Sequence, residues 1–230
     1  MEQQRGIGES VKQSIIGTIR GTGEVLNAVT DTVTGSLSTA LRGAGNVGQA
    51  LTGAVSDVAR GVIQGTSEVG GDLGAAAKGA VIGTLRGTKE AGGAAIDTIG
   101  ATVENLVKTT AEVGGDVGSA ARQAVEGTLH GAKSIGINAF DAAGAAAGGV
   151  VKAAAQTGGD VAKAAKSAVE GAISGAKDIG VDAAEAASAA ASGALRAAGD
   201  IGGEAVEQVK RAATGMISGV KVVVKEPFRK

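Results

Sequence analysis

Catalysis or metal binding needs a proton acceptor, a nucleophile or a set of ligands, and this sequence offers few of them in company. His130 is the one histidine among 230 residues. It shares its place in a repeating pattern with Arg42, Arg86, Lys152 and Arg196, so it reads as part of a solvated face, with no evident partner for a catalytic or metal role. A serine nucleophile needs an adjacent base, and none recurs. The acids are spread one or two to each 22-residue stretch, without a clustered dyad or an oxygen-rich calcium loop. The stretch GAGNVG (Gly43–Gly48) matches G-x-G-x-x-G, but a dinucleotide site needs a strand before it and an acid about 20 residues beyond. The preceding Thr32–Arg42 is in helical phase instead. The expectation is a protein without enzymatic activity, cofactor, metal or small-molecule substrate.

The elements that carry these residues are set by a repeat. Written in rows of eleven from Gly17, the chain runs to Lys225 without insertion, and alternate rows are most alike, so the unit is 22 residues. One column reads Ile19, Leu41, Ile63, Leu85, Val107, Leu129, Val151, Ile173, Leu195 and Ile217. Eleven residues in three turns is about 3.67 per turn, close to the α-helical value. The apolar columns then cover one arc of roughly 130° and the charged columns lie opposite. Phe140, in the apolar arc, reads as an anchor of that stripe. Pairs such as Arg86/Glu90 and Arg196/Asp200 stand four apart on the polar side, each adding only about 0.2–0.5 kcal/mol. No sheet is expected; VKVVVK (Val220–Lys225) alone looks strand-like.

Glycine doublets interrupt the pattern at Gly70/Gly71, Gly92/Gly93, Gly114/Gly115, Gly158/Gly159 and Gly202/Gly203, and each doublet reads as a hinge and a place of close packing. Asp72, Asp116, Asn138, Asp160 and Asp182 share one unit position and suit an N-cap, and Gly92, Gly114, Gly136, Gly158, Gly180 and Gly202 precede it by two, where a helix C′ glycine belongs. Lys89, Lys133 and Lys177 fall in the last turns, as the helix dipole favours. The fold class is therefore all-α, an array of amphipathic helices of about 18–20 residues, built from 22-residue (2 × 11) repeats and hinged at the glycine pairs. The alternative is one continuous helix, about 310 Å long at 1.5 Å per residue, which the unbroken phase favours. The organisation expected is a leader over 1–16, the repeat region over 17–225 and a basic tail over 226–230, where Pro227 ends the last helix.

Composition narrows the function. The 22 basic and 23 acidic residues give no field for nucleic acid, and no aromatic platform stacks bases. With no cysteine there is no disulfide or thiolate metal site. The polar start lacks a signal peptide, and no apolar run of about 20 residues would span a membrane. An intracellular, cytoplasmic protein is expected, with peripheral attachment to a lipid surface open to it.

The 41 glycines weigh against an isolated helix, since each interior one costs about 1 kcal/mol relative to Ala. Something must cover the apolar arc. Pairs spaced by four, at Gly17/Gly21, Gly61/Gly65, Gly83/Gly87, Gly127/Gly131, Gly171/Gly175 and Gly215/Gly219, suit close helix contact. The phrases GTKEAGG (Gly87–Gly93), TAEVGG (Thr110–Gly115), GAKSIG (Gly131–Gly136) and GAKDIG (Gly175–Gly180) resemble in pattern the eleven-residue repeats of synucleins and perilipins. They are also similar to group 3 late-embryogenesis-abundant proteins. The first resemblance implies helices laid on lipid; the second implies a stress protectant that folds on drying. The leading expectation is a protein that coats a hydrophobic boundary (membrane, lipid droplet or storage granule) through its Val/Ile/Ala stripe. The alternatives are self-assembly of copies through Gly/Ala seams into a sheet, tube or filament, and desiccation protection. The partners expected are lipid, another hydrophobic surface or copies of the chain itself.

Overall fold

Cap chemistry decides where this chain turns. Asp72 Oδ1 accepts from the backbone N–H groups of Gly74 and Ala75 at 2.8 and 3.1 Å, and Asp182 Oδ1 from Ala184 and Glu185 at 2.8 and 2.9 Å. Asp116, Asn138 and Asp160 cap in the same way, each satisfying donors that a helix start leaves orphaned. The computed structural model describes residues 2–22, 24–42 and 47–224. Its helices are α1 (Glu2–Thr22), α2 (Val25–Arg42), α3 (Val47–Glu68), α4 (Leu73–Glu90), α5 (Ile99–Glu112), α6 (Val117–Ile135), α7 (Ala139–Gln156), α8 (Val161–Ile179), α9 (Ala183–Ile201) and α10 (Gly203–Ala212). A 3₁₀ turn, Ala95–Thr98, precedes α5, and a hairpin, β1 (Gly215–Ile217) and β2 (Val220–Val222), closes the array. The turn before α5 has a cause. Ala94 stands where Asn138 and Asp182 stand in later repeats, and its side chain caps nothing.

The helix ends explain the glycine doublets. At the end of α3 the Gly71 N–H bonds to Thr66 O and the Gly70 N–H to Ser67 O, the two bonds of a Schellman motif. Gly70 supplies the left-handed residue, with φ of 67°. The second glycine makes room: a Cβ on Gly71 would stand 2.8 Å from Thr66 Cγ2, and one on Gly115 as close to Thr110 Cγ2. Where the helix carries Ala132 or Ala176 in place of that threonine, the second position holds Ile137 or Val181 and makes the same backbone bond. A β-branched residue in the last turn thus requires a doublet, and alanine permits a single glycine.

Two doublets depart from the expected role, each in its second member. Gly159 is exposed and makes its backbone bond to Ala154 O, in a helix end that has no threonine to clear. A Cβ on Gly159 would stand 3.4 Å from Ala154 O and 3.5 Å from Thr157 Oγ1, an ordinary contact. Gly158, at φ of 68°, makes that turn, and Gly159 lies in the turn beside it without close packing. Gly203 meets nothing within 4 Å of an added Cβ and serves as the first residue of α10.

These breaks exclude the continuous rod. Helices α4 to α9, the short α5 apart, have 18 or 19 residues, and the turn restores the count to 22. Helices two apart in the chain pack side by side, and consecutive helices pack across. The result is two layers: α1, α3, α5, α7 and α9 in one, the even-numbered helices in the other. One 44-residue pair is the structural repeat of this solenoid.

Between the layers runs a core of Ala, Val, Ile and Leu. All ten residues of the apolar column, from Ile19 to Ile217, are buried, nine of them in this core and Leu41 in a small separate cluster with Val55, and Phe140 is half-buried against the core. The stripe expected to face an outside surface faces other helices of the same chain. Core side chains are small, so the helices approach until backbone meets backbone. Gly61, Gly149 and Gly193 lie against the carbonyls of Gly8, Gly100 and Gly144, where dispersion between close-packed atoms replaces side-chain bulk.

Three boundaries differ from expectation. The stretch expected as a leader, 1–16, is part of the array from Glu2 onward, since α1 starts there and puts Val11 and Ile15 fully into the core. Among the described residues the last helix ends at Ala212, and Pro227, with the tail 226–230, lies outside them. A small sheet does form: Gly215 pairs with Val222 and Ile217 with Val220 around Ser218 and Gly219, both at positive φ, as a tight two-residue hairpin turn requires. Ile217 and Val222 are buried, and Ser188 Oγ of α9 accepts from the Val223 N–H at 3.3 Å. The hairpin therefore packs on α9 and closes that end.

Candidate functional site

Neighbouring helices of one layer are staggered by a turn, so a polar residue meets its counterpart 48 positions on, one repeat plus one turn. Lys78 of α4 pairs with Glu126 of α6, and His130 Nε2 of α6 lies 3.4 Å from Asp178 Oδ2 of α8. Lys152 of α7 stands 3.9 Å from Asp200 of α9. Arg86 Nε donates to Ser134 Oγ at 3.4 Å. The last-turn lysines cross in the same direction: Lys89 donates to Ile135 O, and Lys133 to Ile179 O at 2.7 Å. They neutralise the carbonyl end of the next helix in the layer as well as their own. The polar arc, read from sequence as pairs four apart within a helix, serves instead to clamp helix to helix.

His130 was left without a partner by the sequence, and the structure corrects that. Glu126, one turn before it, and Asp178, from the neighbouring helix, bring their ligand atoms and its own within 4.8 Å of one another. The signal that could have found them is the 48-residue offset, invisible until the stagger of the layer is known. The G-x-G-x-x-G segment carries no such arrangement. Thr32–Arg42 before it belongs to α2, and Gly43–Asn46 lie outside the described residues.

On the other layer, α5, α7 and α9 enclose a groove of about 460 Å³. Its floor is small: Gly100, Ala101, Gly144, Ala145, Gly148, Gly149, Gly193 and Ala197. Its rim is charged, with Glu104, Lys152, Arg196 and Asp200. Gln156 Nε2 donates to Glu104 Oε1 at 2.7 Å and Lys152 leans to Asp200. Arg196 is exposed and in no ion pair among the described residues.

The doublet glycines, Gly159 among them, lie in the turns, Gly203 at the start of α10 excepted, and none of them lines the groove. Of the spaced pairs, Gly61/Gly65, Gly83/Gly87, Gly127/Gly131 and Gly171/Gly175 meet a neighbouring helix, whereas Gly17 faces open space and Gly215 and Gly219 belong to the hairpin. Two ionisable groups near the first repeat are perturbed. Burial pushes the Asp57 carboxyl above its ordinary value, partly offset by Arg60. The hydrogen bond from Lys12 to Glu68, at 2.6 Å, raises the ammonium.

No protein-family model and no curated protein matches the chain. Among solved structures it is similar to the crystal structure of a de novo designed helical repeat protein, at 19% identity over 78% of this chain and 96% of that one, with a TM-score of 0.47. Among the described residues no helix is long and apolar enough to cross a membrane.

Proposed function

We propose that this chain is a non-enzymatic helical-repeat scaffold that holds an extended, carboxylate-bearing segment of a partner protein in the groove of α5, α7 and α9. One observation carries the reading. The apolar stripe is consumed inside the chain, so what remains for a partner is the long surface trough that stacked helices create. Its floor of glycine and alanine puts no bulky side chain in the way, and the Arg196 guanidinium presents a planar fork suited to a carboxylate.

A second reading keeps attachment to a hydrophobic surface. Ile201, Met216 and Val223 are each exposed in the last stretch of the described residues, and they could seat that end on lipid without opening the helices. Coating through the Val/Ile/Ala stripe would require the array to unpack. Assembly through Gly/Ala seams would need seams that the helices of one chain already occupy.

Peptide display against the full chain separates these. Enriched peptides sharing an acidic residue, whose binding is lost in Arg196→Glu and kept in the distant control Lys177→Glu, support the groove. No enrichment, or binding indifferent to Arg196→Glu, refutes it. Flotation of the chain with lipid vesicles, lost in Met216→Asp, is the result that favours the surface reading.

A further inference from the structure

We infer that Glu126, His130 and Asp178 form a binding site for one Zn²⁺ ion, bridging α6 and α8 on the layer opposite the groove. The donor set is one imidazole and two carboxylates, which suits a borderline ion such as Zn²⁺ better than Ca²⁺ or Mg²⁺, whose ligands are all oxygen. Two carboxylates also balance the charge of a divalent cation held by a neutral imidazole.

Geometry agrees. Ligands about 2.0–2.1 Å from a tetrahedral ion stand roughly 3.3–3.5 Å apart, and His130 Nε2 lies 3.4 Å from Asp178 Oδ2. All three ligand atoms lie within 4.8 Å of one another, so a small rotation of Glu126 completes the set and leaves one position for water. Glu126 and His130 stand one turn apart on α6, and Asp178 arrives from α8. The glycines make that reach possible: Gly175 of α8 packs on the backbone of Glu126, where a Cβ would stand 3.1 Å from its Cα.

The repeat itself singles the place out. One repeat earlier the same three positions hold Ile82, Arg86 and Ser134, and one repeat later Glu170, Ser174 and Val222. Glutamate thus recurs, at Glu170, but the histidine and the aspartate do not, and the full ligand set occurs once. Arg86 already bonds to Ser134, so tying the helices together there does not need a histidine. Lys78, paired with Glu126, competes with the ion for that carboxylate.

Titration of the full chain with Zn²⁺ at neutral pH tests this, followed by calorimetry and by the imidazole NMR signal, which here reports one residue. The expected result is one ion per chain, a shifted His130 signal and a raised Tm. His130→Gln should weaken binding by at least about 100-fold, since even outer-shell partners of metal ligands are worth about 10–100-fold. Asp178→Asn should weaken it as well, and Lys78→Met should tighten it. All three are partly exposed positions, and far-UV circular dichroism verifies that each variant keeps its helices. The site is refuted if Zn²⁺ leaves the imidazole signal unmoved at millimolar concentration. It is equally refuted if His130→Gln binds as the natural chain does, if Mg²⁺ matches Zn²⁺, or if Lys78→Met binds more weakly.

Discussion

The role of glycine predicts opposite outcomes for one substitution made twice in the same column. Gly17, Gly61, Gly149 and Gly193 occupy equivalent positions of the repeat. Around Gly17 nothing lies within 4 Å of an added Cβ, since no described helix packs on that side of α1. At Gly193 the same atom would run into the carbonyl of Gly144, 2.6 Å from its carbon and 2.7 Å from its Cα, where ordinary contact begins at 3.4 Å. Gly17→Ala therefore gains the helix propensity alone, about 1 kcal/mol. Gly193→Ala gains the same but must push α9 off α7. Overpacking a tight contact costs about 1–3 kcal/mol, and rigid backbone on both sides puts this case at the upper end, a net loss of about 1–2 kcal/mol. At roughly 2–4 °C per kcal/mol for a chain of this size, thermal unfolding followed by far-UV circular dichroism should show Tm rising by about 2–4 °C for Gly17→Ala. It should fall by about 2–8 °C for Gly193→Ala. A rise in both variants would refute the close backbone packing of the layers.

Two further tests address local energetics. Asp182→Ala removes the acceptor for two N–H groups of α9 and should cost about 1 kcal/mol in urea unfolding, whereas Asp182→Asn should cost little; equal losses would show that charge, and not capping, is at work. Asp57 has a folded-state pKa raised by burial, so its contribution to stability is fully present below the unfolded value and is lost as pH rises through the folded one. Asp57→Asn should accordingly stabilise the chain at neutral pH, with the gain vanishing in acid; a pH-independent difference would refute the desolvation.

Helix positions were legible in the sequence because their signals are local. Asp72, Asn138 and Asp182 state where a helix starts, and Gly136 and Gly180 where one ends, whatever packs around them. The second glycine of a doublet was less legible, since Gly71 and Gly159 look alike until the side chain five residues earlier is seen to be Thr66 in one case and Ala154 in the other. What covers the apolar stripe was not legible. Leu85 or Leu129 facing a bilayer and the same residue facing another helix give one pattern, since periodicity records burial and not the burying partner. The unbroken eleven-residue phase misled in a similar way. It suggested a continuous rod because phase survives the turns, yet an array of equivalent helices preserves phase for its own reason: each must offer the same face to neighbours 22 and 44 positions away. The clamps were hidden by the stagger. Lys78 and Glu126 look unrelated in sequence until α4 and α6 are laid side by side one turn out of step.

In a solenoid each repeat touches only its neighbours, and this makes repetition itself informative. A residue that recurs at one position, such as the caps from Asp116 to Asp182 or the buried column from Ile63 to Leu195, is accounted for by the packing it makes every time. A residue that departs alone calls for a separate cause. Some departures carry their own repair: Ala94 cannot cap, and a 3₁₀ turn takes up the slack ahead of α5. His130 and Asp178 are different. They stand where Arg86 and Ser134 already make a contact one repeat earlier, and the pairing they leave is no shorter than the one they displace. Packing gives no reason for the change, while a cation shared with Glu126 gives one reason for both at once. The groove on the opposite layer is floored in part by glycines that packing does explain, at Gly149 and Gly193, and Arg196 on its rim keeps the basic character of its column, so repetition alone does not single it out. The common pattern therefore builds the array, and the one place where two columns change together against a recurring contact, at His130 and Asp178, lies on the even-numbered layer.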